Sequence, residues 1–385
     1  MKTVIENGTI ITADGRIENS VLSIEDGVIT EIGSEKSDGV NGSVVIDAQG
    51  FFIVPGFIDI HFHGAMGRDA MDADVASLQV MSDFCAEHGV TSYYPTTWSA
   101  SQTDILDAII CIKEYQHKVH GAQILGVHIE GPYVDLKYRG AQLPCMIRKP
   151  DEAEYRSWFE SGVVKIVTCA PEIEGCRELI TKAINNGVRM SIGHSHADYD
   201  QVIDSADLGA TQATHIFNGM VGLHHREPGT VGGILDDPRI LAQVICDGVH
   251  LHPAIVRLVF QVKTKSGMVL ITDAVRGAGL PDGDYENKGQ KFSVRDGVAR
   301  TPEGGLSGST LTLDQALRNV IRFTGCNLED ALAMVTTTPA REMGVLDRKG
   351  KIAQGYDADI VLLNSDLGVE KTLVKGEVVY SKDEK

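Results

Sequence analysis

Between residues 52 and 340 the chain alternates short apolar runs with longer polar stretches, and this rhythm restricts its fold more than any other feature. The apolar runs are FIVPGFIDI, VTSYYPTT, QILGVHIE, VVKIVTCAP, VRMSIGH, ATQATHIF, ILAQVICDG and MVLITDA. Stretches such as DVASLQVMSDFCAEHG, CRELITKAINNG and HPAIVRLVFQVKTKSG separate most of them and suit helices. A strand buried on both faces reads as a continuous apolar run, as parallel sheets require. Eight such units over about 290 residues predict an α/β fold, a closed (β/α)8 TIM-like barrel. The alternative is an open doubly wound sheet, but no Gly-x-Gly-x-x-Gly turn follows the first strand.

The two ends of the chain follow another rule. TVIENGTIITADG and SVLSIEDGVITEIG are short alternating segments punctuated by Asn-Gly and Asp-Gly, which are strong hairpin signals. GKIAQGYDADIVLLNSDLGVEKTLVKGEVVYS repeats that style near the other end. Because the termini of a domain often lie together, the two pieces predict one small β-sandwich domain. Its expected extent is residues 1–54 plus 342–385, beside a barrel of residues 55–341.

The predicted strands end in ionisable side chains. The first carries His61 and His63, the third Glu130, the fifth His194 and the sixth His215. The seventh carries Asp247 with His250 just beyond, and the eighth Asp273. Residues i and i+2 of a strand share a face, so His61 and His63 can reach one ion together. Barrel enzymes build their sites at the carboxyl ends of their strands. A lone histidine is most often structural or exposed. Such groups at several separate strand ends are harder to explain by packing, because buried polar groups cost free energy unless paired. Imidazole nitrogen and carboxylate oxygen suit one or two divalent ions, zinc or iron first among them, with a position left open for water. Glu130 is placed to bridge two ions, and Asp273 to move protons beside them.

Composition removes other classes. A net charge of −18 opposes a nucleic-acid partner, which needs a basic face. No apolar run is long enough to span a membrane, and MKTVIENGTI has no signal-like apolar core. The seven cysteines are scattered, without a Cys-x-x-Cys pair, as expected of a reduced, cytoplasmic protein.

VPGFIDIHFHG, GVHIEGPY, RGAQ, IGHSHA, THIFNGM, HREPG, DGVH, ITDA and LSGSTLTL occur in that order. Through them the chain resembles the amidohydrolase superfamily, and within it the deacetylases of N-acetylglucosamine 6-phosphate, over nearly its whole length. GYDADIVLL is similar to part of that family's small β domain. The resemblance implies metal-dependent hydrolysis of the sugar's acetamide. It makes Glu130, His194 and His215 the core metal ligands and Asp273 the acid/base, and His61 with His63 favours a second ion. It places substrate contacts at Ala141, Asn218, Gly219, Arg226, His250, Leu306, Ser307 and Gly308. It also implies a homodimer in which Arg226 binds the sugar phosphate in the neighbouring subunit's site.

Two positions depart from the family pattern. Gln142 stands where some relatives have His; an amide can donate to the acetamido carbonyl but cannot become a cation. His196 stands where a small polar residue or Asn is expected, either backing His194 or facing solvent. The SGSTLTL loop is expected to run into a helix, and residues 279–305 to form a hairpin insertion without assigned chemistry. N-acetylgalactosamine 6-phosphate is the nearest rival substrate. A cyclic-amide hydrolase is opposed by HREPG and THIFNGM, and a metal-free scaffold by the complete ligand set.

Overall fold

Eight parallel strands carry the middle of the chain in the computed structural model, which describes residues 2–12, 15–33, 43–287 and 289–384. They are β1 (Phe57–Phe62), β2 (Val90–Thr97), β3 (Val127–Glu130), β4 (Val164–Cys169), β5 (Arg189–Ile192), β6 (Gln212–Ala213), β7 (Leu241–Ile245) and β8 (Met268–Ile271). Each pairs with the next in sequence. The chain leaving β8 returns to β1, where Asp273 N donates to His61 O (2.9 Å) and Phe62 bridges Ala274. The order closes into a barrel, as the alternation predicts.

Helices fill the intervals where the polar stretches lie. Val75–Glu87 starts on Asp74, whose side chain accepts from Ser77 N, and Pro253–Gly267 starts on His252 with proline in its first turn. The helix after SGSTLTL is Leu313–Thr324. The barrel interior is partly polar, and its polar groups bond to one another as buried groups must. His128 Nε2 lies 2.7 Å from Thr168 Oγ1, which lies 2.8 Å from Thr214 Oγ1.

Both ends of the chain build one eight-stranded sheet. Phe52–Pro55 lies between Lys2–Thr12 and Ile360–Leu363, so the N- and C-terminal segments meet across a single strand. Ile360–Leu363 reads as four apolar residues because both of its faces are covered. Ile360 and Leu362 enter a core with Ile5, Leu22 and Ile53, whereas Val361 and Leu363 join the core of the barrel. Gly283–Asn287, Gln290–Arg295 and Val298–Arg300 form a separate three-stranded antiparallel sheet, one strand more than a hairpin, around Phe292, Val294 and Ala299.

The ammonium of Lys349, 1% exposed, pairs with Asp359 and lies 3.1 Å from Asp357. Asp359 also accepts from Lys375 N (2.9 Å), which joins the last hairpin to this pair. Lys349→Met leaves buried carboxylate without its partner and should lower unfolding free energy by about 3 kcal/mol. Arg16→Ala, which breaks the exposed pair with Glu329, should cost less than about 1 kcal/mol. Urea titration of both variants checks the contrast.

Candidate metal centre and active site

At the carboxyl end of the barrel, side chains from five strand ends converge. His61 Nε2 and His63 Nε2 are 3.1 Å apart, and Asp273 Oδ1 lies 3.4 and 3.2 Å from them. Beside this group, Glu130 Oε1 lies 3.2 Å from His194 Nε2 and 3.0 Å from His215 Nε2, and those nitrogens are 3.2 Å apart. Glu130 faces both groups, because its Oε2 lies 3.4 Å from His63 Nε2. All six side chains are buried. Nitrogens this close, pointed at one another and at carboxylates, are the donor set for borderline divalent ions, and one carboxylate reaching both groups suits a pair of ions.

The imidazoles are held from behind. His63 Nδ1 donates to Thr96 O (3.0 Å), His194 Nδ1 to Tyr138 O (2.8 Å) and His215 Nδ1 to Asn218 O (3.1 Å). His61 Nδ1 faces a side-chain oxygen instead, Gln243 Oε1, at 3.1 Å. A histidine whose Nδ1 donates presents the Nε2 lone pair to a cation.

The charges are matched to this arrangement. Burial pushes the His61 pKa down to about 4, against the pull of Asp273 and Glu130. Burial also opposes charge on His63, but bonds to Asp273 and Glu130 outweigh it and hold that pKa well above the usual value. Burial alone would raise both carboxyls; the facing histidines, His61 foremost, instead pull Glu130 well down and lower Asp273. Both are therefore carboxylates at neutral pH.

Aiming these groups strains the backbone. His194, His215 and Asp273 have φ of 48°, 31° and 49°, in the left-handed region, at a cost of about 1–3 kcal/mol each. Gly219 (φ +60°) packs so closely that an added Cβ would stand 2.8 Å from His194 Nδ1. This steric demand accounts for the glycine whether or not it touches a substrate.

The cluster floors a cavity of about 760 Å³. Ala141, Gln142, Asn218, Gly219, His250, Leu306, Ser307 and Gly308 all line it. Gln142 is oriented by Ser99, whose N and Oγ both donate to its Oε1, leaving Nε2 to donate to Glu130 Oε2 (3.3 Å). The nitrogen of this amide is thus turned toward the metal groups. His250 Nδ1 lies 2.6 Å from Asp247 Oδ2. Arg226 is not brought in: it is exposed on a loop outside the cavity, its Nη1 2.8 Å from His225 Nε2. His196 is half exposed and turned from the cluster, with Nδ1 2.8 Å from Asp135 Oδ2. Asp135 Oδ1 in turn accepts from Tyr138 N (3.1 Å), so His196 braces the loop whose carbonyl holds His194.

A family model described as Amidohydrolase family matches residues 52–379. The chain belongs to the amidohydrolase family. This amidohydrolase is 35% identical over 387 residues to the N-acetylglucosamine-6-phosphate deacetylase of Bacillus subtilis (strain 168), covering 99% of this chain and 98% of that one. It is 37% identical over 381 residues to the N-acetylgalactosamine-6-phosphate deacetylase of Escherichia coli O157:H7, covering 98% and 99%. The structure of a mutant N-acetyl-D-glucosamine-6-phosphate deacetylase from Mycobacterium smegmatis in complex with N-acetyl-D-glucosamine-6-phosphate matches with a TM-score of 0.91 at 30% identity, covering 99% of each chain.

Several residues of the amidohydrolase site lie outside the motifs. Trp98, Lys291 and Phe292 line the cavity, the last two from the insertion to which the sequence assigned no chemistry; Arg139, within RGAQ but given no role there, lines it too. Thr96 and Tyr138 act through backbone carbonyls, which side-chain patterns do not report. Gln243 could be found only as an unexplained polar residue inside an apolar strand run. Glu130→Gln should weaken divalent-metal binding at least ~100-fold while the fold persists, to be read by elemental analysis and circular dichroism.

Proposed function

We propose that this amidohydrolase cleaves the acetamide of N-acetylglucosamine 6-phosphate, consuming water and giving glucosamine 6-phosphate and acetate. The observation that carries the reading is the convergence of Glu130, His194 and His215 beside Asp273 at the floor of one cavity. In this reading the barrel, residues 55–341, is the catalytic domain, and residues 1–54 plus 342–385 form the small β domain.

Glu130, His194 and His215 would hold one divalent ion, and His61 with His63 would hold a second next to Asp273; zinc or iron fits both donor sets. Such ions withdraw charge from a carbonyl oxygen and make water acidic near neutral pH. Asp273, kept ionised by the histidines around it, accepts the proton of the attacking water. It returns that proton to the sugar nitrogen as the acetyl C–N bond breaks, so the amine leaves neutral. Gln142 Nε2, pre-aimed by Ser99, offers a hydrogen bond on the same side of the cavity. Asn218, Gly219, His250 and the backbone of Leu306, Ser307 and Gly308 hold the sugar and limit its rotation about the acetamide.

Arg226 reads the phosphate from the neighbouring subunit of a homodimer. Its exposure outside its own cavity, on a loop with exposed Leu223, supports this assignment, and its forked donors suit a phosphate. No helix among the described residues is long and apolar enough to cross a membrane. The cysteines are all free thiols, five of them buried, which supports a reducing compartment, the cytoplasm.

N-acetylgalactosamine 6-phosphate is a second reading, favoured by the relative from Escherichia coli at 37% identity. Acetate release measured side by side from both phosphorylated sugars tests the proposal; no release from either overturns it. Asp273→Asn should keep its metal and lose turnover by roughly 10²–10⁴-fold. Arg226→Ala should raise KM for the phosphorylated sugar and leave that for unphosphorylated N-acetylglucosamine unchanged.

A further inference from the structure

We propose that a one-way hydrogen-bond chain through the barrel, from Glu342 by way of Gln212 and Gln243, fixes which nitrogen His61 offers to the metal centre. The inference rests on the metal-binding role given to His61 above and makes Gln243, Gln212 and Glu342 positioning residues.

The four site imidazoles are not held alike. His63, His194 and His215 each place Nδ1 against a backbone carbonyl, at 3.0, 2.8 and 3.1 Å. A backbone carbonyl accepts and never donates, so those three tautomers are settled locally. His61 Nδ1 instead meets the Gln243 carboxamide, 3.1 Å from Oε1. A carboxamide can turn over, exchanging its acceptor for a donor. If Gln243 presented its NH2 group, His61 Nδ1 would have to accept. The proton would then sit on Nε2, aimed at His63, Glu130 and Asp273, and no lone pair would face the ion.

The rest of the chain removes that freedom. Gln243 Nε2 donates to Gln212 Oε1 (2.9 Å), and Gln212 Nε2 donates to Glu342 Oε1 (3.1 Å). Gln212, Gln243 and His61 are 0% exposed, so no water competes for these bonds. Glu342, at the end of the helix Thr337–Glu342, also accepts from Thr211 Oγ1. Burial pushes its pKa up, against bonds from Thr211 and Gln212 and the charge of Arg189. Its Oε1 faces two donors, Thr211 Oγ1 and Gln212 Nε2, and accepts from both. Turning Gln212 over would set its oxygen against that acceptor, and turning Gln243 over would set its oxygen against the oxygen of Gln212. Each bond therefore has one allowed direction, and the last places the proton on His61 Nδ1. Gln212 opens β6, Gln243 lies mid-way along β7 and His61 sits near the end of β1, so the constraint crosses the barrel from its floor to its site.

Imidazole ¹⁵N NMR of the full-length, metal-free protein reads the tautomer directly. The wild type should show His61 with its proton on Nδ1. Gln243→Leu should move that proton wholly or partly to Nε2, leave His63, His194 and His215 unchanged, and keep the thermal midpoint close to wild type. Gln243→Glu, which keeps an acceptor opposite His61, should retain the Nδ1–H form. Gln212→Leu, which does not touch His61, should shift the tautomer in the same direction as Gln243→Leu. Cobalt(II) titration should show one of two binding steps weakened roughly 10–100-fold in Gln243→Leu and the other unchanged. An unchanged His61 tautomer in both leucine variants overturns the inference, as does equal weakening of both binding steps. A wild type that binds no cobalt would instead overturn the metal reading, while the tautomer result still decides whether the chain sets the proton.

Discussion

Six buried ionisable side chains face one small volume, and much of this structure serves to hold them there. Glu130 is the centre of that arrangement, one oxygen beside His194 and His215 and the other beside His63. The histidines keep Glu130 and Asp273 ionised where burial alone would protonate them, and the carboxylates in turn hold charge on His63. A divalent ion bound there would replace these mutual compromises with direct coordination.

The barrel makes such crowding possible because each ligand arrives on a different strand, backed by its own bonded neighbours. The turns at His194, His215 and Asp273 adopt left-handed backbone, which the surrounding parallel strands over-determine. Gly219 leaves room for the His194 ring to reach Tyr138 O. His61 is anchored at the main chain as well, since its N donates to Asp59 Oδ1 (3.1 Å), while Thr272 Oγ1 donates to Asp59 Oδ2 (2.6 Å). Strain at the rim is thus held by hydrogen bonds beneath it.

The cavity above the cluster is assembled from segments with separate origins. Loops after β3, β6 and β7 supply Gln142, Asn218 and His250, and the sheet inserted after β8 adds Lys291 and Phe292. Arg139 lines the same wall from the loop that holds His194. Arg226 stays outside, so a phosphate-reading role for it depends on a second chain. Chemistry at the floor is complete within one chain, whereas recognition at the mouth is open to a neighbour.

The amino-acid sequence by itself determined the barrel and the ionisable residues that close its strands. Parallel strands buried on both faces leave unbroken apolar runs, and ionisable residues closing those runs at positions such as 61, 63, 130, 194, 215 and 273 stand out against them. Alternation at residues 360–363 was hidden, because the two faces of that strand enter different cores and both are apolar. Tertiary structure alone decided how these side chains are aimed. The carbonyls of Thr96, Tyr138 and Asn218 carry no side-chain signature, and Gln243, Gln212 and Glu342 are remote in sequence from His61. Hydrogen-bond direction is a property of atoms brought face to face, and only folding brings them there.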